Sequence, residues 1–435
     1  MTTPATPRET APRKEIFAWA MYDFANSGYT TVVLTAVFNT YFVGVIAGAA
    51  GHDSGSATLL WTLAMAIANA LVLATAPIVG AIADHSASKK RFLALTTVGC
   101  VAATAGLSWC GPGDVALAMT LVAIATVMFC SGENLIAAFL PELSPPEQMG
   151  RISSYGWTLG YIGGLLVLGA CLVYVNHAQA LGQTAAQFVP VTMWIVAIAF
   201  GLASLPTFFW LKERAQPSPA SATSLISAGF RRVSQTWHHA RQHRNLFRFL
   251  IGLTTYTCGI NTVIVLAGVY AQEVMHFETQ GTIMLILVVN ITAAVGAFVF
   301  GRLQDRMGSK LTLAITLLVW VAAMLVAYFT SDRASFWVVA NLVGIALGSS
   351  QSAGRAIVGI LSPPERSGEF FGLWGMATKL AAIIGPLSYG LVTQLTHGDH
   401  RLALLSTTAF FLAGLAILAT VQIEREHNDA NEANG

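Results

Sequence analysis

Charge is what this sequence has least of. Asp, Glu, Lys and Arg make up 10% of its 435 residues, against about a quarter in soluble globular chains. That scarcity excludes an ordinary soluble domain; the near-neutral net charge says nothing about acidic or nucleic-acid partners, and no nucleic-acid partner is expected. Cysteine is also sparse. Cys100, Cys110, Cys130, Cys171 and Cys258 lie in or at the ends of apolar runs, without metal-ligand spacing or a disulfide framework. No HExxH, nucleophile elbow or phosphate-binding loop occurs, so neither an enzyme nor an ATP-driven pump is expected. Neither a metal nor any other cofactor is called for. The short alternating strands of an outer-membrane barrel are missing too. None of the ten histidines falls in an apolar run, so no histidine-centred proton relay is expected.

What remains is apolar: 55% of the chain is hydrophobic. The runs reach the roughly 20 residues a helix needs to cross a hydrocarbon core of about 30 Å. Read between charged or Gly/Pro-rich breaks, they predict spans near 16–46, 58–83, 92–110, 114–140, 153–176, 189–211, 246–272, 282–303, 310–330, 335–361, 369–395 and 401–423. The polar stretch from Met1 to Glu15 precedes a run too long and too polar-studded for a signal peptide, so the first helix is expected to be retained. The longest break divides the chain into residues 1–211, a linker over 212–245, and residues 246–435. The predicted fold class is an all-α membrane protein, with twelve transmembrane helices in two pseudo-symmetric six-helix bundles.

Nineteen of the 23 Lys and Arg residues fall on the side of the two termini and the linker. Only Arg333 and Arg401 fall opposite, and Arg355 and Lys379 lie inside spans. The bias predicts cytoplasmic termini and an even number of spans. In the linker, Ile226, Phe230, Val233 and Trp237 recur at helical spacing among Arg231, Arg232, Arg241 and Arg244. That pattern suits either a helix lying on an anionic leaflet or a flexible basic tether.

Two segments recur. Gly80-Ala-Ile-Ala-Asp84-His-Ser-Ala-Ser-Lys89 follows span two, and Gly301-Arg-Leu-Gln-Asp305-Arg-Met-Gly308-Ser-Lys310 follows span eight. Leu143-Ser-Pro-Pro-Glu147-Gln-Met-Gly150 and Leu361-Ser-Pro-Pro-Glu365-Arg-Ser-Gly368 follow spans four and ten, with six identities in eight positions. Matching loops on one face fit parallel duplicated bundles around a central cavity.

At these loops the sequence resembles the major facilitator superfamily, whose signature there is Gly-x-x-x-Asp-x-x-Gly-x-Lys/Arg. The first copy departs from it, with Ala87 where the second Gly is usual and His85 where Arg is common, which predicts a less tight turn. The resemblance implies that each loop carboxylate faces the start of a helix in the other half, Asp84 near Ser367 and Asp305 near Ser153. The plainer alternative is that these are topology-setting charges only. More narrowly, Trp19-Ala-Met-Tyr-Asp23-Phe-Ala-Asn26-Ser27, Phe139-Leu-Pro-Glu142-Leu, Gly259-Ile-Asn261-Thr262, Gln351-Ser-Ala-Gly-Arg355 and Glu369-Phe-Phe-Gly372 look like the vacuole-effluxer branch. Its fungal members are associated with amino-acid export from the vacuole. Cys258 stands where that branch often has an acidic residue. Similarity to the bacterial members implies an inner-membrane location.

Charged side chains at the bilayer centre cost roughly 2.5–3.5 kcal/mol each on insertion scales, so each needs a partner or an aqueous cavity. Four candidates emerge away from the span ends. Asp23 shares a helix face with Asn26, Ser27 and Thr30, and Glu133 adjoins Asn134; Arg355 follows Gln351 by one turn, and Lys379 follows Thr378. The acids belong to the first half and the bases to the second, so pairs that form and break across the cavity are expected. One reading is a zwitterion site, with Asp23 or Glu133 meeting an ammonium, Arg355 holding a carboxylate, and Asn26, Asn134, Asn261, Gln351 and Lys379 alongside. Asp23 and Glu133 would then carry protons. The other reading is that these are structural pairs holding the halves together. Tyr22, Tyr155, Trp157, Tyr161, Tyr256 and Trp374 are further cavity-lining candidates, and Gly160, Gly163 and Gly164 allow close helix packing.

Together these features predict a proton-linked, alternating-access carrier for amino acids or similar zwitterions. The alternatives are a carrier of other small organic solutes or drugs, or a sensor that kept the fold and lost transport. The expected partners are a small-molecule substrate, protons and membrane lipids. Nothing in the sequence requires more than a monomer.

Overall fold

The structure, a computed structural model, describes residues 10–214, 243–277, 279–397 and 399–423. The leaflet helix or tether expected around Ile226, Phe230, Val233 and Trp237 lies outside the described residues. Twelve helices are long and apolar enough to cross a membrane. In the first half they are α1 (Arg13–Ala47), α2 (Ser56–His85), α3 (Lys89–Trp109), α4 (Val115–Leu143), α5 (Pro146–Ala180) and α6 (Ala185–Trp210). In the second they are α7 (Arg244–Val265), α8 (Met284–Met307), α9 (Ser309–Phe329), α10 (Arg333–Leu361), α11 (Pro364–Leu395) and α12 (His400–Ala419). The described residues contain no strand. An even number of crossings puts the start of α1 and the end of α12 on one face, called here the terminal face.

Helices outrun the apolar runs that reveal them. The fifth was predicted from residue 153, yet helical structure begins at Pro146, because the polar turn around Arg151 keeps its hydrogen-bonded form beyond the hydrocarbon. For the same reason three histidines expected outside the spans belong to helix ends: His85 closes α2, His177 lies in the last turn of α5 and His400 opens α12. The first helix is irregular, with π-helical stretches at Tyr29–Ala36 and Phe42–Ala47.

Two apolar cores form. One gathers Trp19, Tyr29, Phe38, Phe42, Phe139 and Phe200 from α1, α4 and α6. The other gathers Phe249, Trp320, Phe370 and Phe411 from α7, α9, α11 and α12, together with Tyr270 beyond the end of α7, and Trp320 stacks on Phe411. Their polar tips are satisfied internally, as a span requires: Tyr22 Oη pairs with Thr97 Oγ1 at 2.9 Å, and Trp19 Nε1 donates to Ile136 O at 2.7 Å. Tyr22 therefore belongs to the first core rather than to a cavity wall. Leu59, Leu63, Leu166, Val173, Phe209 and Val265 are exposed on the outer surface, where lipid would cover them.

Helix starts on the two faces are capped differently. Away from the terminal face the caps are local: Asp332 accepts from Ser335 N at 2.8 Å, Asp399 from Leu402 N at 2.9 Å, and Thr184 and Gln187 form a capping box. On the terminal face, α5 and α11 have no side-chain cap of their own. Their caps come from the opposite half.

Candidate functional site

Asp84, in the last turn of α2, accepts the N–H of Gly368 at 3.0 Å and that of Glu369 at 2.9 Å. Both are orphan donors at the start of α11, where a carboxylate also meets the positive end of the helix dipole. The helices approach closely enough for this because Gly80 lies against the backbone of Gly368, and Gly372 against that of Ala76. The second copy repeats the device. Asp305, at the end of α8, accepts Arg151 N at 3.0 Å and faces the Arg151 guanidinium at 3.7 Å. There Gly301 packs on Ser154 and Gly150 on Gln304. Each loop carboxylate thus joins the two halves at the terminal face.

A residue of positive φ follows each carboxylate. Gly308 has φ 90°, and Ala87 takes the left-handed region too, at φ 44°. The first turn is the looser of the two, as Ala87 predicts: Ser86, Ala87 and Ser88 separate α2 from α3, whereas Gly308 alone separates α8 from α9, and within the longer turn the Ala accepts the strained backbone.

The two loop lysines diverge. Lys89 is fully buried, with Nζ 2.5 Å from Glu142, 3.6 Å from Asp84 and 2.9 Å from Ser367 Oγ. Lys310 instead donates to the carbonyls of Ala419 and Val421 at the end of α12. Around Lys89 the segment after α6 is tied down as well. Glu213 accepts the first N–H groups of α3, and Arg214 forks onto Glu15 at 2.7 and 2.8 Å.

Deeper in the membrane, Asp23 of α1 and Arg355 of α10 meet in a buried ion pair at 2.6 Å. The guanidinium also donates from Nε to Ser153 Oγ at 3.1 Å and from Nη2 to Ser153 O at 2.7 Å. Its carbon lies 4.7 Å from the Trp19 ring centre and 5.4 Å from that of Trp157. Gly156 floors the arrangement: a Cβ there would overlap both Asp23 Oδ2 and Arg355 Nη2. The fork of Arg355 is therefore spent on the protein itself in this conformation.

Glu133 and Lys379 are half-buried, and no ion pair within 4.0 Å joins them among the described residues. They lie within electrostatic range of each other, and Glu133 also lies within range of Asp23 and Arg355. The ammonium of Lys379 sits against Cys130. Asn134 is buried beside Gly375 of α11, and its Nδ2 has no partner among the described residues. Asn26 is buried, whereas Asn261 and Gln351 are half-buried. No hydrogen bond among the described residues links these three to the four charged groups. Of the aromatic candidates, only Trp157 stacks on a member of the charged set. Sequence reasoning did not assign Trp19, Ser153, Gly156 or Glu142 to these contacts. The one signal available was their presence in or beside the motifs quoted above.

A two-bundle helical fold, joined by reciprocal caps at one face and by buried charges at its centre, is that of a major facilitator-type membrane transporter. The vacuole effluxer Atg22-like family matches residues 56–431, and the chain belongs to that family. An uncharacterized MFS-type transporter of Bacillus subtilis, YxiO, is 27% identical over 97% of this chain and 98% of its own length. Autophagy-related protein 22 of Cryptococcus neoformans is 26% identical over 65% of this chain, and that of Saccharomyces cerevisiae 23% over 65%. The chain spans 54% and 58% of those two fungal relatives. Among solved structures, the human organic anion transporter MFSD10 superposes with a TM-score of 0.73 at 15% identity, covering 93% of this chain and 99% of that one. The proton:xylose symporter XylE superposes with a TM-score of 0.71 at 15% identity, covering 94% and 95%. At these identities the two structures share the fold.

Proposed function

We propose that the protein is a proton-linked secondary carrier of small zwitterionic solutes, with amino acids the leading class. The observation that carries this reading is the division of four intramembrane charges between the halves, acids on one and bases on the other. Asp23 and Arg355 are closed on each other, while Glu133 and Lys379 stand apart. A solute with an ammonium and a carboxylate fits between the second pair, the ammonium toward Glu133 and the carboxylate toward Lys379. Asn134 Nδ2 adds an unspent donor beside them.

The two bundles, residues 1–211 and 246–435, rock about this site. The Asp84 and Asp305 caps hold the terminal face shut in one state. In the other, Asp23 loses Arg355, and its carboxylate, left in a low-dielectric site, takes up a proton unless another cation replaces the guanidinium. Location in a bacterial inner membrane rests on similarity to the bacterial members, and cytoplasmic termini on the Lys and Arg bias.

Uptake and counterflow of a labelled amino-acid panel in proteoliposomes, with and without a pH gradient, test this reading. Saturable flux that falls in Glu133→Gln and Lys379→Gln and follows the gradient supports it. Absence of flux for every amino acid, from protein that is folded, overturns the substrate class.

A further inference from the structure

The receptacle around Arg355 is built almost wholly by the opposite half. Asp23 and Trp19 come from α1; Ser153, Gly156 and Trp157 come from α5. Only the guanidinium comes from α10. Together the five residues supply one carboxylate, one carbonyl and one hydroxyl oxygen, two indole faces, and a glycine floor that lets a flat group lie flush. That is the chemistry of a receptor for a planar organic cation: charge opposite the carboxylate, donors matched to acceptors, and π faces alongside. In this conformation the Ser153 hydroxyl donates its proton to Ser352 O of α10 at 2.8 Å and presents a lone pair to Arg355 Nε; once α10 withdraws, that hydroxyl is free to accept from another donor.

We infer that this box is a cation-binding site of the first half, and that Arg355 is a tethered occupant competing with solute. The inference rests on the carrier reading above, because the box empties only when the halves part at the terminal face. In that state the box accepts a solute bearing a guanidinium or a similarly flat cation. Return of Arg355 expels the solute as the face closes. Arg355 then acts by competition, in contrast to a residue that binds substrate carboxylate.

The two roles predict opposite signs for one substitution. A tethered competitor lowers the apparent affinity of the box by the fraction of time it is occupied, so removing it tightens binding. Removing a substrate ligand weakens binding.

The test uses the purified full-length chain in nanodiscs with propylguanidinium as the probe, binding being read by calorimetry and thermal shift. Saturable binding to the native chain is expected, at least about tenfold tighter in Arg355→Met, where the stem is kept and the charge removed. Binding is expected to disappear in Asp23→Asn and to weaken in Trp157→Leu. Arg355→Lys, which keeps a charge but loses the fork, serves if the Met variant does not fold, and is expected to bind more tightly than native by a smaller factor. Equal or weaker binding in a folded Arg355 variant overturns the inference, as does binding to the variants with none to the native chain. Flux measured on the same native preparation separates the two claims. Amino-acid flux without tighter cation binding in the variants leaves the carrier and removes the box. Cation binding with the predicted pattern but no flux of any amino acid leaves the box and removes the amino-acid carrier.

Discussion

Asp84 caps a helix to which it has no covalent proximity: both of its carboxylate oxygens accept backbone N–H groups at the start of α11, those of Gly368 and Glu369. A cap inside one helix stabilises that helix in every state. A cap supplied by the other half exists only while the halves touch, so its energy enters the equilibrium between access states. With a typical cap contributing about 1 kcal/mol, and charge-assisted bonds about twice as strong as neutral ones, its loss shifts that equilibrium several-fold or more.

Asp84→Ala should therefore open the terminal face. Spin labels placed at the ends of α2 and α11 will report a longer separation in most molecules of the variant, with Asp84→Asn intermediate. An unchanged distance distribution would show that the cap does not set the state.

Gly156→Ala should abolish function, because the added methyl overlaps both members of the Asp23–Arg355 pair. At least about a tenfold loss of flux is expected, with a lower melting temperature, since overpacking costs typically 1–3 kcal/mol. Gly169→Ala, where a Cβ meets nothing within 4 Å, is the control on the same helix and should be neutral.

Ala87→Gly should stabilise the fold. At φ 44° an alanine carries a penalty of about 1–2 kcal/mol that glycine avoids, partly offset by the greater freedom of glycine in the unfolded chain. A net gain of roughly 0.5–1 kcal/mol would appear as a higher melting temperature in detergent. Gly308→Ala at the matching position should move it down.

Removing one partner of the buried Lys89–Glu142 pair should cost up to about 3–5 kcal/mol, less what Asp84, 3.6 Å from the ammonium, still compensates. Glu142→Gln will show this as a large drop in thermal stability. Lys89→Met combined with Glu142→Leu should recover much of it. A double variant as unstable as the single one would mean that Asp84 and Ser367, the other partners of Lys89, carry the contact.

His243, just before α7, is held below the usual imidazole pKa, first by partial burial and then by the Arg366 charge. Its ring packs edge-on against Phe370. A base whose folded pKa is depressed binds fewer protons than in the unfolded chain, so its contribution to stability is lost as pH falls from the unfolded value, near 6.5, through the folded one. His243→Phe should flatten the melting temperature over that interval.

The sequence alone determined the class, the twelve spans and the doubled architecture. Apolar length and loop repeats are local quantities, and a bilayer forces every backbone polar group to pair within its own helix. The residues that matter most were legible for a related reason: a charge inside an apolar run is conspicuous, so Asp23, Glu133, Arg355 and Lys379 could be picked out one by one.

The pairing was decided by the tertiary structure. Nothing in the local pattern tells Asp23 to choose Arg355 while Glu133 and Lys379 stay apart. Nor does it place Trp19, Ser153 and Gly156 around one guanidinium or have Glu142 neutralise Lys89. These contacts join residues more than fifty positions apart. They depend on how closely glycine-lined helices approach and on which state the halves occupy, and both are properties of the packed bundle rather than of any single helix.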